Sequence, residues 1–326
     1  MSGPKVSDEQ FITLWRLHGS SKRLSEILAC DIRAVNRRRR RIEVRHKVAL
    51  EPKEQQRFSH LQTAHKHGAR AELGIQDGVV IVFSDAHFWP GIRTTAFRGL
   101  LWAINELQPK AVICNGDAFD GSSISRYPRI GWDSKPTVIE ELKACEMSLE
   151  EIEEATKKVR HNAKLVWTLG NHDARFENTL AQHAGQFEGV PGFSLKDHFL
   201  AWTPAWSCWL NENVVVKHRY KGGIHATHNN TVLSGKSIVT GHLHSLKVTP
   251  YSDYNKYPRY GVDTGTLAET DGPQFVDYLE DNPVNWRSGF AVLTFHNGRL
   301  LWPELVHRFE DGVVEFRGKL IDVSNT

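Results

Sequence analysis

The stretch Val79-Val80-Ile81-Val82-Phe83-Ser84-Asp85-Ala86-His87 decides the fold. Five consecutive apolar, mostly β-branched residues with no polar alternation predict a strand in a sheet covered on both faces. That strand ends by presenting a carboxylate and an imidazole. The same arrangement recurs along the chain: Ala111 to Cys114 runs into Asn115-Gly116-Asp117-Ala118-Phe119-Asp120, and Leu165 to Leu169 into Gly170-Asn171-His172-Asp173. Val214 to Val216 leads to Lys217-His218, and Ser237 to Thr240 leads to Gly241-His242-Leu243-His244. An ordered series of acid, Asn and His clusters, each following a short apolar run, predicts ligands delivered from parallel strand ends to one metal centre.

Between these runs the periodicity changes to that of helices, about Thr95 to Leu107 and Val138 to Val159. Strand and helix therefore alternate, and an α/β class follows. Ala71 to Ile75, the Gln76-Asp77-Gly78 turn and Val79 to Phe83 read as a hairpin opening this domain. Near the end, Gly289 to Phe295, the His296-Asn297-Gly298 turn and Arg299 to Val306 read as another hairpin, and Val313 to Leu320 as one more strand. Both are expected in the second sheet.

The chain has 326 residues, 40% hydrophobic and 24% charged, which suits one large domain with a small appendage. No apolar run approaches a membrane span and the first residues are polar, so a cytoplasmic location and no membrane partner are expected. The four cysteines Cys30, Cys114, Cys145 and Cys208 form no CxxC pair, which indicates neither a thiolate zinc site nor a disulfide framework.

The net charge of +3 is unevenly distributed. Residues 1–47 carry 12 Lys and Arg against 5 Asp and Glu, a net +7, while the remainder carries −4. Ser7 and Gln10 form a capping-box start, Phe11, Leu14, Trp15 and Leu17 recur at helical spacing, and Gly19 ends the helix. A second helix, about Ser21 to Leu28, puts Leu24, Ile27 and Leu28 on one face; a third starts at Ile32 and continues through Val35 into Arg37-Arg38-Arg39-Arg40-Arg41. With small Ser25 where the two helices pack, small Ala29 at the turn, and Ile32 and Val35 on the third helix, a stretch of about twenty residues is similar to a helix-turn-helix unit, and residues 1–47 are expected to form a basic, all-α domain. On that resemblance Arg33, Asn36 and Arg37 lie near the start of the recognition helix and Arg38, Arg40 and Arg41 meet phosphates, with DNA the expected partner and RNA the alternative. A solvated basic helix, or an arm packing on an acidic partner, is the competing interpretation. Residues 48–70 read as a linker and 71–326 as the catalytic domain.

The ordered motifs resemble those of the calcineurin-like metallophosphoesterase superfamily, D-x-H, G-D-x-x-D, G-N-H-D/E, H and G-H-x-H, over roughly residues 79–300. The resemblance extends to its DNA-repair-nuclease and bacteriophage-encoded branches. It implies a β-sandwich flanked by helices and two divalent cations, Mn²⁺ first, with Fe, Zn²⁺ or Mg²⁺ as alternatives. By carry-over Asp85, His87 and His244 bind one cation, Asn171, His218 and His242 the other, and Asp117 bridges them. His172 then lies near the leaving group, with Asp120, or alternatively Asp173, orienting its ring. Asp85 and His87, like His242 and His244, are two residues apart, and an extended backbone would turn both side chains of each pair to one side. The ligand types suit divalent cations rather than a copper(I) or iron–sulfur site. His218 is followed by Arg219 where the family has glycine, so His225 and His228 compete for its position or act as substrate contacts.

Substrate is less legible. The places where protein phosphatases of the superfamily carry Asp-Arg-Gly and an Arg before Gly-Asn-His hold Asp120-Gly121-Ser122 and Leu169, which argues against that class. Arg126 and Arg175 are candidate phosphate clamps. The segment 176–213, with Trp202, Trp206 and Trp209, is expected as a cap, and Tyr251, Tyr254, Tyr257 and Tyr260 as either base-stacking platforms or a packed hairpin surface. The expectation is a metal-dependent phosphodiesterase acting as a DNA nuclease tethered by its basic head. The alternatives are a phosphatase or phosphodiesterase of nucleotides and other small phosphoesters, and a DNA-binding regulator with an inactive phosphoesterase fold. Assembly into homo-oligomers is left open.

Overall fold

A computed structural model describes residues 6–50, 70–126, 135–275, 279 and 282–326, so most of the linker expected over 48–70 lies outside the described residues. The chain divides into two units, Met1–Lys66 and His67–Thr326.

In the first unit, helix α1 (Asp8–His18) begins where the Ser7 hydroxyl accepts from the Gln10 N–H and the Gln10 side chain accepts from the Ser7 N–H. It ends at Gly19, whose φ of 59° closes the last turn. Helix α2 (Ser21–Ile27) is capped by Ser20, and α3 (Ile32–His46) by Asp31. Phe11, Trp15, Leu24, Leu28, Val35, Ile42 and Leu50 form the core. Ile27, expected on one face with Leu24 and Leu28, is half-exposed, as is Ile32 at the start of α3. The reason is geometric: Val35 and Ile42, two helical turns apart, hold the inner stripe of α3.

The arginine run wraps around α3 and therefore divides between its faces. Arg38 donates to the Val6 carbonyl and lies 3.4 Å from Asp8, while Arg39 stacks over Trp15 and reaches Glu43 at 3.7 Å. Asn36 accepts from the Ser21 hydroxyl at 2.6 Å, within the α2–α3 contact. Arg33, Arg37, Arg40 and Arg41 face solvent.

The second unit is a four-layer sandwich. One sheet contains parallel strands β2 (Gly78–Phe83), β3 (Ala111–Cys114), β4 (Lys164–Thr168) and β5 (Thr203–Ala205). It continues past β2 through antiparallel β11 (Gly289–His296), β13 (Glu304–Glu310), β14 (Val313–Phe316) and β15 (Lys319–Asp322); β12 (Arg299–Leu300) pairs with β11. The other sheet runs β1 (Ala71–Leu73), β6 (Cys208–Leu210), β7 (Val214–Val216), β8 (Ser237–Thr240), β10 (Arg259–Asp263), β9 (Lys247–Tyr251).

Alternation along β2 explains its continuous apolar sequence. Val80 and Val82 pack between the sheets against Val216, Val239 and Val262, whereas Ile81 and Phe83 face α4 (Thr95–Leu107) and α5 (Val138–Val159). Helix α6 (Asp173–His183) follows β4, and α7 (Ala226–Ser234) packs on β8, β9 and β10 of the second sheet.

Several sequence-based expectations are corrected. β1 and β2 are not a hairpin, because β1 pairs in parallel with β6 of the other sheet. The C-terminal strands extend the sheet of β2 rather than the second sheet. The segment Val313 to Leu320 contains two strands, since Arg317 and Gly318 both take positive φ and form a tight hairpin turn. Much of 176–213 is structural: it supplies β5 to one sheet and β6 to the other, and Trp202 is buried edge-on against Phe83. The tyrosines near 251–260 lie on the β9–β10 hairpin, where Tyr260 is buried and Tyr254 fully exposed. Among the described residues no helix is long and apolar enough to cross a membrane.

Candidate metal centre

The carboxyl ends of β2, β3 and β4 in one sheet and of β7 and β8 in the other converge. Three groups of ligand-type atoms form there, each drawn together within 4.8 Å: Asp85, His87 and His244; Asp117, His218 and His242; and His87, Asp120 and His172. Asp85, His87, Asp117, His218 and His244 are buried, while His242 lies at the exposed rim.

The backbone that achieves this is not extended as the two-residue spacing suggested. Asp85, His87, Asp117, His242 and His244 have φ of 52°, 41°, 54°, 72° and 54°. Left-handed residues curl the chain as it leaves each strand, at roughly 1–3 kcal/mol for each non-glycine held there. The surroundings maintain the curl. Asp85 N–H donates to the Gly116 carbonyl at 2.9 Å and His87 N–H to the Asp117 carbonyl at 3.0 Å, lacing the first two loops together. Glycine is required where loops meet: a Cβ on Gly116, itself at φ 85°, would sit 2.5 Å from His218 Nδ1, and one on Gly170 would collide with the Asp117 carboxylate.

Each central carboxylate has one oxygen tied back and one facing imidazoles. Asp85 Oδ2 accepts from Ser84 Oγ and from His242 N–H, leaving Oδ1 at 3.1 Å from His244 Nε2 and 4.0 Å from His218 Nε2. Asp117 Oδ1 accepts from His172 N–H at 2.8 Å, leaving Oδ2 at 3.0 Å from His218 Nε2. Charge governs the titration. Burial pushes the Asp85 carboxyl up, but His244 and His218 pull it further down, to about 2. Asp117 is likewise held well below the carboxylate range by His218 and His172 against its burial. For His218 burial works downward, yet Asp117 and Asp85 carry it up to about 10. The same negative charge would attract a cation.

The donor set fits one. His87 Nε2, Asn171 Oδ1 and His244 Nδ1 are buried without a hydrogen-bond partner, an arrangement costly unless something else satisfies it, and His218 Nε2 has the Asp117 carboxylate beside it. The other nitrogen of two rings is held: His87 Nδ1 lies 2.8 Å from Asp120 Oδ1, and His218 Nδ1 lies 2.7 Å from the Asn115 carbonyl. When those nitrogens donate, Nε2 keeps a lone pair pointing into the site, as in metal-bound histidines.

A model of the family described as calcineurin-like phosphoesterase matches residues 78–315, which spans every cluster above. The chain belongs to the calcineurin-like phosphoesterase family. It is 24% identical over 252 residues to the gene 54 protein of Mycobacterium phage L5, covering 70% of this chain and 92% of that one. Similar solved structures include YfcE, a phosphoesterase from E. coli, at 14% identity and TM-score 0.32 over 76% of this chain and 94% of that one. A dimetal phosphatase from Danio rerio is 10% identical with TM-score 0.35, over 77% of this chain and 100% of that one. Membership and these ligand groups together make this chain a metal-dependent phosphoesterase.

Within this phosphoesterase, His172 shares a group with His87 and Asp120 and lies beside the other two. Its Nδ1 is 2.9 Å from Asp120 Oδ1 and 3.0 Å from the Asp120 carbonyl. Burial lowers the His172 pKa, but Asp117 and Asp120 carry it above its ordinary value. Asp120 Oδ1 thus serves two rings, His87 and His172. Asp173, considered for the same role, faces elsewhere: it accepts from the N–H groups of Asp117, Ala118, Phe119 and Gly170 and from the Trp167 indole. It latches the second motif to the third.

Arg175 is turned inward, with Nη1 3.0 Å from the Asp120 carbonyl and Nη2 3.1 Å from His172 Nε2. Arg126 is exposed, at the edge of the described residues. His225 and His228 are exposed on the start of α7, with His228 against Tyr251, and neither joins a ligand group. Of the three histidines weighed for the fourth motif, His218 is the one that lies in a ligand group.

Two groups of residues escaped the sequence reading. Phe275 and Trp286 wall the site, their rings 5.5 and 4.5 Å from that of His244. Asp263 accepts from Ser245, Leu246 and Gly265 N–H, holding the turn beyond His244. Both are distant in sequence from the motifs they support.

Proposed function

We propose that this protein hydrolyses phosphodiester bonds in nucleic acid, DNA foremost, with Mn²⁺ as the first candidate metal. The hydrolytic half is supported by the convergence of unsatisfied buried ligand atoms described above. Asp85, His87 and His244 would hold one cation and Asn171, His218 and His242 the other, with Asp117 between them. Cations bound there would supply positive charge for a phosphoryl oxygen and a nucleophilic hydroxide at neutral pH.

The protein's own groups complete the chemistry. Asp120 aligns His172 through Nδ1. Its elevated pKa favours a second proton on that ring, and Nε2, once Arg175 has moved off it, is suited to protonating the leaving oxygen. Arg175, against Nε2, would contact the phosphate only by leaving that partner. The inactive-regulator alternative is disfavoured, since a non-catalytic scaffold does not require a full set of strained, buried ligands.

The observation that favours nucleic acid over small phosphoesters is the outward face of α3. Arg33, Arg37, Arg40 and Arg41 are exposed there and make no ion pair among the described residues. Adjacent like charges without counterions suit a phosphate backbone. The tethering role of residues 1–47 is part of this reading.

The test is cleavage of end-labelled single- and double-stranded DNA in Mn²⁺ or chelator, with bis-p-nitrophenyl phosphate turnover in parallel. Metal-dependent DNA cleavage absent in Asp117→Asn supports a nuclease. Diester turnover without DNA cleavage moves the substrate to small phosphoesters. Neither activity in any divalent metal refutes the catalytic reading.

A further inference from the structure

Beside the metal-ligand cluster lies a pocket that no step above uses. It is lined by Arg219, Tyr220, Lys221, Thr240, Gly241 and His242, and has a volume of about 140 Å³. A water molecule's share of liquid is roughly 30 Å³, so the pocket has room for a group of several heavy atoms, the size of a phosphate. One wall is His242, a member of the ligand cluster; the opposite rim carries two cationic side chains and no acid.

The rim is held in place. Lys221 N–H donates to Asn230 Oδ1 at 3.0 Å, and Asn230 Nδ2 donates back to the Lys221 carbonyl at 3.2 Å. Asn230 is itself buried, 1% exposed, so the rim is fastened to α7 by a fixed amide. On the other side, Gly241 N–H donates to the His218 carbonyl at 2.9 Å. Neither Arg219 nor Lys221 forms an ion pair among the described residues. Two unneutralised cations on a fixed rim, open to solvent and adjoining a metal ligand, match an anion presented alongside the reacting phosphate.

We propose that this pocket binds a second phosphate of the same substrate, the one adjacent to the phosphodiester being cut. Arg219 supplies a planar fork for its oxygens and Lys221 a second charge. The inference rests on the phosphoesterase reading and specifies the substrate: a diester flanked by another phosphate, whether the next link of a nucleic acid strand or the terminal phosphate of a short nucleotide.

The test is competitive inhibition of bis-p-nitrophenyl phosphate hydrolysis by the dinucleotides TpT, pTpT and TpTp, using the full chain in Mn²⁺. Wild type should bind pTpT or TpTp about tenfold more tightly than TpT, the advantage that two exposed charge contacts provide. Arg219→Ala/Lys221→Ala should bring that ratio close to one, and Arg219→Glu should invert it. Equal inhibition by all three dinucleotides in wild type, or an advantage that survives in the double variant, overturns the proposal. If wild type turns over no diester, the catalytic reading itself fails and this inference falls with it; turnover with a flat ratio overturns the second-phosphate site alone. Longer 5′-phosphorylated oligonucleotides distinguish the sources, since a strand-binding pocket gains affinity from further nucleotides and a nucleotide pocket does not.

Discussion

Replacing Asp120 by Asn removes one charge from a carboxylate that serves two imidazoles, and its effect can be worked out from the geometry. Oδ1 lies 2.8 Å from His87 Nδ1 and 2.9 Å from His172 Nδ1. An amide oxygen there can still accept, but the bonds lose their charge assistance, worth on the order of 1 kcal/mol each. The His87 ring is also freed to reorient, and its Nε2 is one of the unsatisfied atoms facing the site. Loss of an orienting partner typically weakens metal affinity 10–100-fold, so we expect at least a tenfold rise in the Mn²⁺ dissociation constant by isothermal titration calorimetry. Asp120 also helps hold the His172 pKa above its ordinary value, as does Asp117. At saturating metal, the alkaline limb of kcat against pH should therefore move to lower pH, because a less basic His172 loses its proton earlier. Unchanged metal affinity together with an unchanged pH profile would refute the assignment of Asp120 as the partner of both rings.

Further perturbations probe other parts of the molecule. Glu141 is fully buried on α5, its Oε1 accepting from Ser122 N–H at 3.0 Å while Oε2 has no partner, and burial pushes its carboxyl up from 4.5 to about 7. The folded state binds that proton more tightly than the unfolded state, so the stability it contributes is complete below pH 4.5 and lost as pH rises through about 7. Glu141→Gln should flatten this dependence and exceed wild type by about 1–3 kcal/mol at pH 8 in urea unfolding; identical pH slopes would contradict it. Gly170→Ala places a methyl group in the Asp117 carboxylate and should abolish diester turnover while circular dichroism shows a folded chain; retained activity would mean that the third motif can recede. Finally, Arg33→Ala/Arg37→Ala/Arg40→Ala/Arg41→Ala should reduce the slope of log affinity for DNA against log salt by about 3–4, measured by fluorescence anisotropy. An unchanged slope would assign the polyanion contact to another surface.

The order of motifs and the apolar runs before them were enough to read the α/β class and the family, because a buried parallel strand has a continuous apolar sequence and its carboxyl end is where ligands collect. Asp85, His87, Asp117, His218, His242 and His244 could all be named from local pattern. The head's helix starts were equally local, since Ser7 and Gln10 cap within one turn.

What local pattern could not supply depends on contacts between distant segments. Strand pairing is one case: β1 and β2 are separated by a turn-like Gln76-Asp77-Gly78 yet belong to different sheets, because β1 finds its partner at Cys208–Leu210. The backbone of the ligand pairs is another, for positive φ at Asp85 or His244 is imposed by neighbouring loops rather than by those residues' own preferences. The division of the arginine run is a third. Five consecutive arginines look equivalent in a row, but a helix advances about 100° per residue, so Arg38 and Arg39 turn toward Asp8 and Trp15 while Arg37, Arg40 and Arg41 face water. The sequence alone determined which side chains this protein has available for chemistry and in which order strands deliver them. Which oxygen or nitrogen of each side chain is left bare, and which is tied back, was decided by the folded surroundings, because a hydrogen bond exists only where its two partners have been brought within reach.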